Sequence, residues 1–149
     1  MTWEFVPEPG VLRLRLHLNT PPEVVYRFLS TDEGRASFWA EEAREQASVI
    51  HWEFPSGVSA DLAVIGKEPG VRFACQYLEG TELELELEPD RRGGTDLTLT
   101  HRGIAEESMT EVAAGWGSVL MNLKAVVDNG IDLRNHSSDL NWTRGFLDN

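Results

Sequence analysis

The sequence contains little cysteine, little basic charge and no long hydrophobic run. Its 149 residues include one cysteine, and 13 Lys and Arg stand against 25 Asp and Glu, giving a formal net charge of −12. Lone Cys75 can form no internal disulfide, which fits a reducing cytosol. Because nucleic acids and anionic membranes are themselves negatively charged, a surplus of acidic side chains opposes binding to either. We therefore expect no nucleic acid partner and no membrane partner.

The distribution of hydrophobic residues also predicts no targeting segment and no membrane-spanning helix. No apolar run approaches the ~20 residues that a membrane helix needs, and the first thirty residues hold no signal-peptide stretch. Hydrophobic residues still make up 41% of the chain, which excludes a disordered acidic tail. We expect a cytoplasmic protein with a single domain over residues 1–149, a core over 10–130 and a tail over 131–149 that packs on the body.

Alternating apolar and polar residues predict an antiparallel sheet of six strands. The strands lie near residues 11–18, 45–54, 58–66, 71–78, 81–88 and 95–102.

Capping residues and an apolar stripe predict three helices. Capping-box spacings at Thr20–Glu23 and Ser30–Glu33 predict two short helices between the first two strands. A long helix of about twenty residues follows the sheet, opened by Ser108 and Glu111 and ended by Gly130. Its apolar stripe includes Val112, Trp116, Leu120 and Leu123, and we expect this stripe to face the sheet. The fold class is α+β.

Four segments carry a family resemblance, namely residues 20–39, 64–73, 81–103 and 115–130. In this order they resemble the START-like, helix-grip superfamily (SRPBCC), and within it the activator of heat-shock-protein-90 ATPase homologue family. The resemblance implies a curved antiparallel sheet wrapped around a long C-terminal helix, with a cavity between them that can hold an apolar ligand.

Two features depart from that family. Cys75 stands where an aromatic residue is expected, which would reshape the cavity. The chain also lacks the separate N-terminal domain of the eukaryotic chaperone activators, so we expect no appreciable stimulation of a chaperone ATPase.

The candidate site residues are the inward-facing side chains that could line this cavity. Aromatic residues in this position either form a pocket wall or fill the core. The predicted cavity-lining residues are Phe28, Trp39, Trp52, Phe54, Phe73, Cys75, Tyr77, Leu85, Leu97, Leu99, His101, Trp116, Leu120 and Leu123.

Trp116 has a glycine on either side, Gly115 and Gly117. Glycine within a helix costs about 1 kcal/mol relative to alanine. This cost predicts a close approach of a strand or a ligand to the helix backbone.

Signals for catalysis or metal binding are weak. The four histidines show no HExxH spacing and no cysteine cluster accompanies them, so we expect no metal and no cofactor. The four outward glutamates of residues 81–88 are interpreted as a solvated face rather than a cation site. Inward His101 is either an acid or base toward a ligand or a hydrogen-bonded residue that fixes a strand end.

The leading interpretation is a protein that binds a small hydrophobic or aromatic molecule between the sheet and the C-terminal helix. The first alternative is an enzyme of the polyketide cyclase or dehydratase type, for which His101, Tyr77 and His51 are the polar candidates. The second is a chaperone co-factor acting through an exposed face. The aromatic tail either packs back on the body or contributes to a homodimer.

Overall fold

A computed structural model describes residues 6–149 of the chain. In chain order the elements are β1 (Val11–Leu18), α1 (Pro22–Ser30), α2 (Asp32–Phe38), β2 (Glu42–Gln46), β3 (Val49–Glu53), β4 (Ser59–Glu68), β5 (Arg72–Tyr77), β6 (Thr81–Pro89), β7 (Thr95–Arg102) and α3 (Met109–Asn129). Short 3-10 turns lie at residues 78–80, 106–108 and 142–144. None of the helices in the described part of the chain is long and apolar enough to cross a membrane.

The described strands form one antiparallel sheet in the order β1-β7-β6-β5-β4-β3-β2. In the β6–β7 hairpin, Leu85 pairs with Leu99 and Leu87 with Leu97, so the leucines of both strands share the inner face. Helix α3 lies across that face, and Trp116, Leu120 and Leu123 are buried against it. The α+β prediction, the helix-grip arrangement and the inward direction of the α3 stripe are confirmed.

The sheet has seven strands where the sequence predicted six. The predicted strand over residues 45–54 is two strands, β2 and β3, joined by a tight turn at Ala47 and Ser48. Both turn residues have positive φ, 50° and 62°, as a type I′ hairpin turn requires. Glycine and asparagine usually mark such a turn, and because neither occurs here, the turn gave no sequence signal.

Helix termini were predicted with mixed success. The hydroxyl of Thr31, one residue beyond the predicted cap, accepts a hydrogen bond from the Gly34 amide and caps α2. Thr20 does not cap α1: its hydroxyl donates to Asp128 at the far end of α3. Ser108 occupies the N-cap position of α3 but makes no capping hydrogen bond with its side chain. Gly130 ends α3 as predicted, with a left-handed φ of 68°.

Arg35 of α2 is fully buried and was not singled out from the sequence. Its guanidinium donates to the carbonyls of Leu29 and Ala43 and to the carboxylate of Asp32, at 3.1, 3.1 and 2.8 Å respectively. These bonds join α1, α2 and β2. Burial lowers the pKa of Arg35, and the carboxylates of Asp32 and Glu45 oppose that shift.

Candidate functional site

One end of the sheet and the N-terminal half of α3 border a pocket of about 750 Å³ that is open to solvent on one side. We call it the helix–sheet pocket. Its volume lies within the range of roughly 300–1,000 Å³ that small-molecule sites occupy. It is the feature of the described structure that best matches the cavity implied by the family resemblance.

Three of the polar side chains that the sheet supplies to the pocket come from the ends of three neighbouring strands. Tyr77 ends β5, Thr81 begins β6 and His101 lies near the end of β7. Tyr77 pairs with Thr81, and His101 pairs with Leu83, so strand register places all three at the same edge of the inner face.

A series of hydrogen bonds determines the tautomer of His101. Trp116 Nε1–H donates to His101 Nδ1 at 2.9 Å, so the proton of the neutral ring must sit on Nε2. His101 Nε2 lies 2.7 Å from Thr81 Oγ1, and the Thr81 hydroxyl donates to the carbonyl of Leu78 at 2.7 Å. Burial lowers the pKa of His101 to about 4. The imidazole is therefore neutral at neutral pH, and both of its nitrogens are occupied.

Aromatic rings form the floor of the helix–sheet pocket. The Trp39 centroid lies 5.9 Å from that of Tyr77 and 5.7 Å from that of Trp116, and Tyr77 and Trp116 are 5.4 Å apart. Trp39 Nε1–H donates to the Tyr77 hydroxyl at 3.1 Å. Burial raises the pKa of Tyr77 well above its usual value, so this hydroxyl keeps its proton. Because the oxygen accepts from Trp39, the hydroxyl remains able to donate to a ligand.

Helix α3 borders the pocket with Val112, Gly115, Trp116 and Val119. A Cβ atom built on Gly115 would meet nothing within 4 Å, and the same holds for Gly117, which faces solvent. No strand approaches the helix backbone at either glycine, so that alternative of the prediction is wrong, while the approach of a ligand stays a prediction. At Gly115 the missing side chain instead leaves open space in the pocket.

The C-terminal tail covers part of the mouth, a role that the sequence did not assign to it. Trp142, Phe146 and Leu147 line the pocket. Trp142 Nε1–H donates to Glu111 of α3 at 2.6 Å, and the Ser118 hydroxyl donates to the carbonyl of Leu147. The aromatic composition of the tail was the one feature of the sequence that could have indicated this role. The turn between β3 and β4 supplies a further part of the wall, through Phe54 and neighbouring residues.

Two buried polar side chains anchor the start of the tail. Asn122 of α3 donates to the Phe38 carbonyl at 3.0 Å and accepts from the Leu133 amide at 2.7 Å. Arg134 donates to the carbonyls of Ala36 and Ala40 at 2.8 and 2.9 Å. The tail is thus tied to α2 and α3 before it reaches the pocket mouth.

The predicted site residues divide into two groups. Five of them line the helix–sheet pocket: Trp39, Phe54, Tyr77, His101 and Trp116. The other nine do not line it, because they belong to the packed core or pack against it: Phe28, Trp52, Phe73, Cys75, Leu85, Leu97, Leu99, Leu120 and Leu123.

Cys75 and His51, both named from the sequence, lie away from the pocket. Burial raises the pKa of Cys75 to about 12, so its thiol is not ionised at neutral pH. His51 is on the outer face of the sheet, where its Nδ1 lies 2.7 Å from Asp61 and its Nε2 lies 3.1 Å from Glu53. These two carboxylates raise the pKa of His51. The suggestion that His51 lies inside the cavity is therefore wrong.

Among the described residues, one group has ligand atoms close enough together to hold a metal ion. It consists of Glu42, His51 and Glu53, whose ligand atoms lie within 4.8 Å of one another on the outer face. Each member already has a partner, since Arg44 pairs with Glu42 and both nitrogens of His51 are engaged. The group is separate from the helix–sheet pocket.

Comparison with known proteins defines the class of the chain. A helix–sheet pocket beneath a long C-terminal helix is the arrangement expected of helix-grip proteins. The family model described as Activator of Hsp90 ATPase homolog 1-like protein matches residues 19–128. The chain belongs to this family. No curated protein matches the sequence.

Solved structures with the same fold are distant in sequence. The Aha1 dimer from Colwellia psychrerythraea has a TM-score of 0.72 and 24% identity, with 80% of this chain and 97% of that chain covered. The SSP2350 protein from Staphylococcus saprophyticus has a TM-score of 0.70 and 17% identity, with 81% and 93% covered. CalU16 from Micromonospora echinospora has a TM-score of 0.67 and 22% identity, with 80% and 74% covered. At these identities the similarity establishes the fold alone.

Proposed function

We propose that the protein binds a small hydrophobic or aromatic molecule in the helix–sheet pocket. The observation that carries the proposal is a pocket of about 750 Å³ with rings of Trp39, Tyr77 and Trp116 in its wall. Aromatic side chains provide flat apolar contact area, which suits a hydrophobic or aromatic ligand. The Tyr77 hydroxyl adds a hydrogen-bond donor that can orient such a ligand.

The hydrogen-bond pattern favours binding over catalysis. A general acid or base must be within hydrogen-bond reach of the reacting group. His101 uses one nitrogen to accept from Trp116 and the other to donate to Thr81. It could act on a ligand only after one of these buried bonds had broken. Its role in this arrangement is to hold Trp116 and the strand ends in place.

Two glycines of α3 provide a matched test. Gly115 borders the pocket and Gly117 faces solvent, and neither has a neighbour within 4 Å of its Cβ position. Replacing either by leucine removes a helix-interior glycine, so both variants gain helix propensity. Gly115→Leu also places a side chain inside the pocket, where it competes with a ligand for space.

The measurement uses N-phenyl-1-naphthylamine, an uncharged dye whose fluorescence rises on transfer from water to an apolar site. We expect wild type and Gly117→Leu to bind it equally, and Gly115→Leu to bind it about tenfold more weakly, since overpacking costs on this scale. Equal binding by both leucine variants, or no binding by the wild type, would contradict the proposal.

A further inference from the structure

We propose that the ligand of the helix–sheet pocket carries a positive charge, as a hydrophobic amine or quaternary ammonium compound does. This inference rests on the proposed function and adds the charge of the ligand. The pocket combines acidic groups at its mouth with an aromatic wall.

The charged residues of the pocket wall are all acidic. Among the described residues that line it, Glu79 and Glu111 are glutamates, and none is lysine or arginine. Both glutamates are solvent-exposed and lie at the mouth, Glu79 in the turn between β5 and β6 and Glu111 in the first turn of α3. Glu111 accepts a hydrogen bond from Trp142 Nε1, so its carboxylate is held against the covering tail.

The remaining ionisable groups in the wall supply no compensating positive charge. His101 Nδ1 accepts the Trp116 N–H and therefore carries no proton. Arg144 of the tail lies 5.9 Å from the centroid of the Phe146 ring, but its side chain is not part of the wall, and it donates to the Asp139 carbonyl.

The dipole of α3 is the main opposing effect, because the N-terminal end of a helix favours anions. Its effective charge is about half of one elementary charge. Three glutamates lie in the first turn of α3 and in the 3-10 turn that precedes it: Glu106, Glu107 and Glu111. Their combined negative charge outweighs the positive end of the dipole, so the mouth repels anions.

An aromatic wall is well suited to the cationic headgroup. The faces of tryptophan and tyrosine rings are negative, and they attract an ammonium group that lies within about 6 Å. Trp39, Tyr77 and Trp116 offer such rings beside a hydrophobic interior. The net charge of −12 would also raise the local concentration of a cation. A carboxylate ligand, such as a fatty acid, would meet repulsion at the mouth and no basic side chain in the wall.

The experiment compares three probes that share a naphthalene ring. They are the cation (2-naphthylmethyl)trimethylammonium, the neutral alcohol 2-naphthylmethanol and the anion of 2-naphthylacetic acid. Their dissociation constants are measured by calorimetry with wild type, Glu79→Gln, Glu111→Gln and the double variant. Glu88→Gln is the matched control, since it removes the same charge from an exposed position on β6 outside the pocket.

We expect wild type to bind the cation about tenfold more tightly than the alcohol, and the anion more weakly than either. In the double variant the preference for the cation should fall to about threefold or less, with the alcohol unaffected. Glu88→Gln should behave as wild type.

Each contrary result has a distinct meaning. If the alcohol binds and the cation binds no more tightly, the charge inference is overturned while the proposed function stands. If none of the three probes binds, both are overturned. If Glu88→Gln lowers the preference as much as the double variant does, the attraction comes from net charge alone and the pocket is not selective.

Discussion

The two halves of α3 meet the sheet in different ways. The C-terminal half packs into a filled core, in which Leu123 is fully buried together with Leu18 and Leu97. The N-terminal half borders the helix–sheet pocket, with Gly115 opening onto unoccupied space. One helix thus has a half that packs into the core and a half that borders a pocket.

The same difference appears in the polar contacts of the two halves. At the C-terminal end the Asp128 carboxylate accepts from the Asn19 amide and the Thr20 hydroxyl, and Lys124 donates to the carbonyl of His17. Burial alone would raise the pKa of Asp128, but these hydrogen bonds lower it. At the N-terminal end, α3 makes polar contacts with His101 and with the tail. These contacts lie around the pocket and leave its interior open.

The largest expected effect comes from truncating the filled half. Leu123→Ala should destabilise the protein by about 3 kcal/mol, because removing a fully buried leucine leaves a void that the core fills poorly. Denaturant unfolding measures this change.

The contrasting variant truncates the open half. For lost packing, Trp116→Ala should cost less than the roughly 3–5 kcal/mol typical of aromatic-to-alanine changes in a filled core, because its ring borders the pocket. Loss of the hydrogen bond to His101 adds to that cost. The variant should also bind N-phenyl-1-naphthylamine more weakly. A cost within or above that range, with wild type that binds no dye, would mean that both halves of α3 are filled.

A further prediction concerns acid stability and the neutral state of His101. An unfolded histidine has a pKa of about 6.5, and burial lowers that of His101 to about 4. The unfolded state therefore takes up a proton first as the pH falls, and the stability associated with neutral His101 is lost between these two values. The loss approaches about 3 kcal/mol.

His101→Gln isolates this contribution, because glutamine does not titrate. Between pH 7 and pH 4.5 the unfolding free energy of the variant should fall by about 2 kcal/mol less than that of the wild type. Equal pH dependence of the two proteins would show that His101 is accessible to protons in the folded state.

A smaller effect is expected where the tail leaves the filled half. Asn122→Ala removes the donor to the Phe38 carbonyl and the acceptor for the Leu133 amide. Leaving such groups unpaired should cost about 2 kcal/mol. Asn129→Ala, at the exposed end of the same helix, is the control and should change stability by less than about 0.5 kcal/mol. If both variants lose the same amount, the tail anchor contributes nothing beyond its helix.

The filled half was largely predictable from the sequence. Alternating leucines in β6 and β7 and the three- and four-residue spacing in α3 report directly which side chains face inward. Gly130 was predictable because few other residues adopt its left-handed conformation at low cost. Local patterns of this kind determine the elements and the faces they bury.

The open half was predicted less well, because it depends on contacts between distant segments. Outside the pocket, two other features also gave no signal: the Ala47–Ser48 turn lacks the usual glycine, and the burial of Arg35 depends on carbonyls from two other segments. The tail covers the mouth through Trp142, 31 residues from its partner Glu111. A periodic pattern shows that a side chain faces inward but not whether another side chain fills the space opposite.

The indole N–H groups provide the most direct test of the central claim, which is that one half of α3 borders a usable pocket. Trp39, Trp116 and Trp142 line the helix–sheet pocket, whereas Trp52 is fully buried and does not line it. An ¹H–¹⁵N titration with 2-naphthylmethanol follows each indole signal separately. We expect saturable shifts at Trp39, Trp116 and Trp142 that exceed the shift at Trp52. Shifts that are absent, or no larger at these three positions than at Trp52, would contradict the claim.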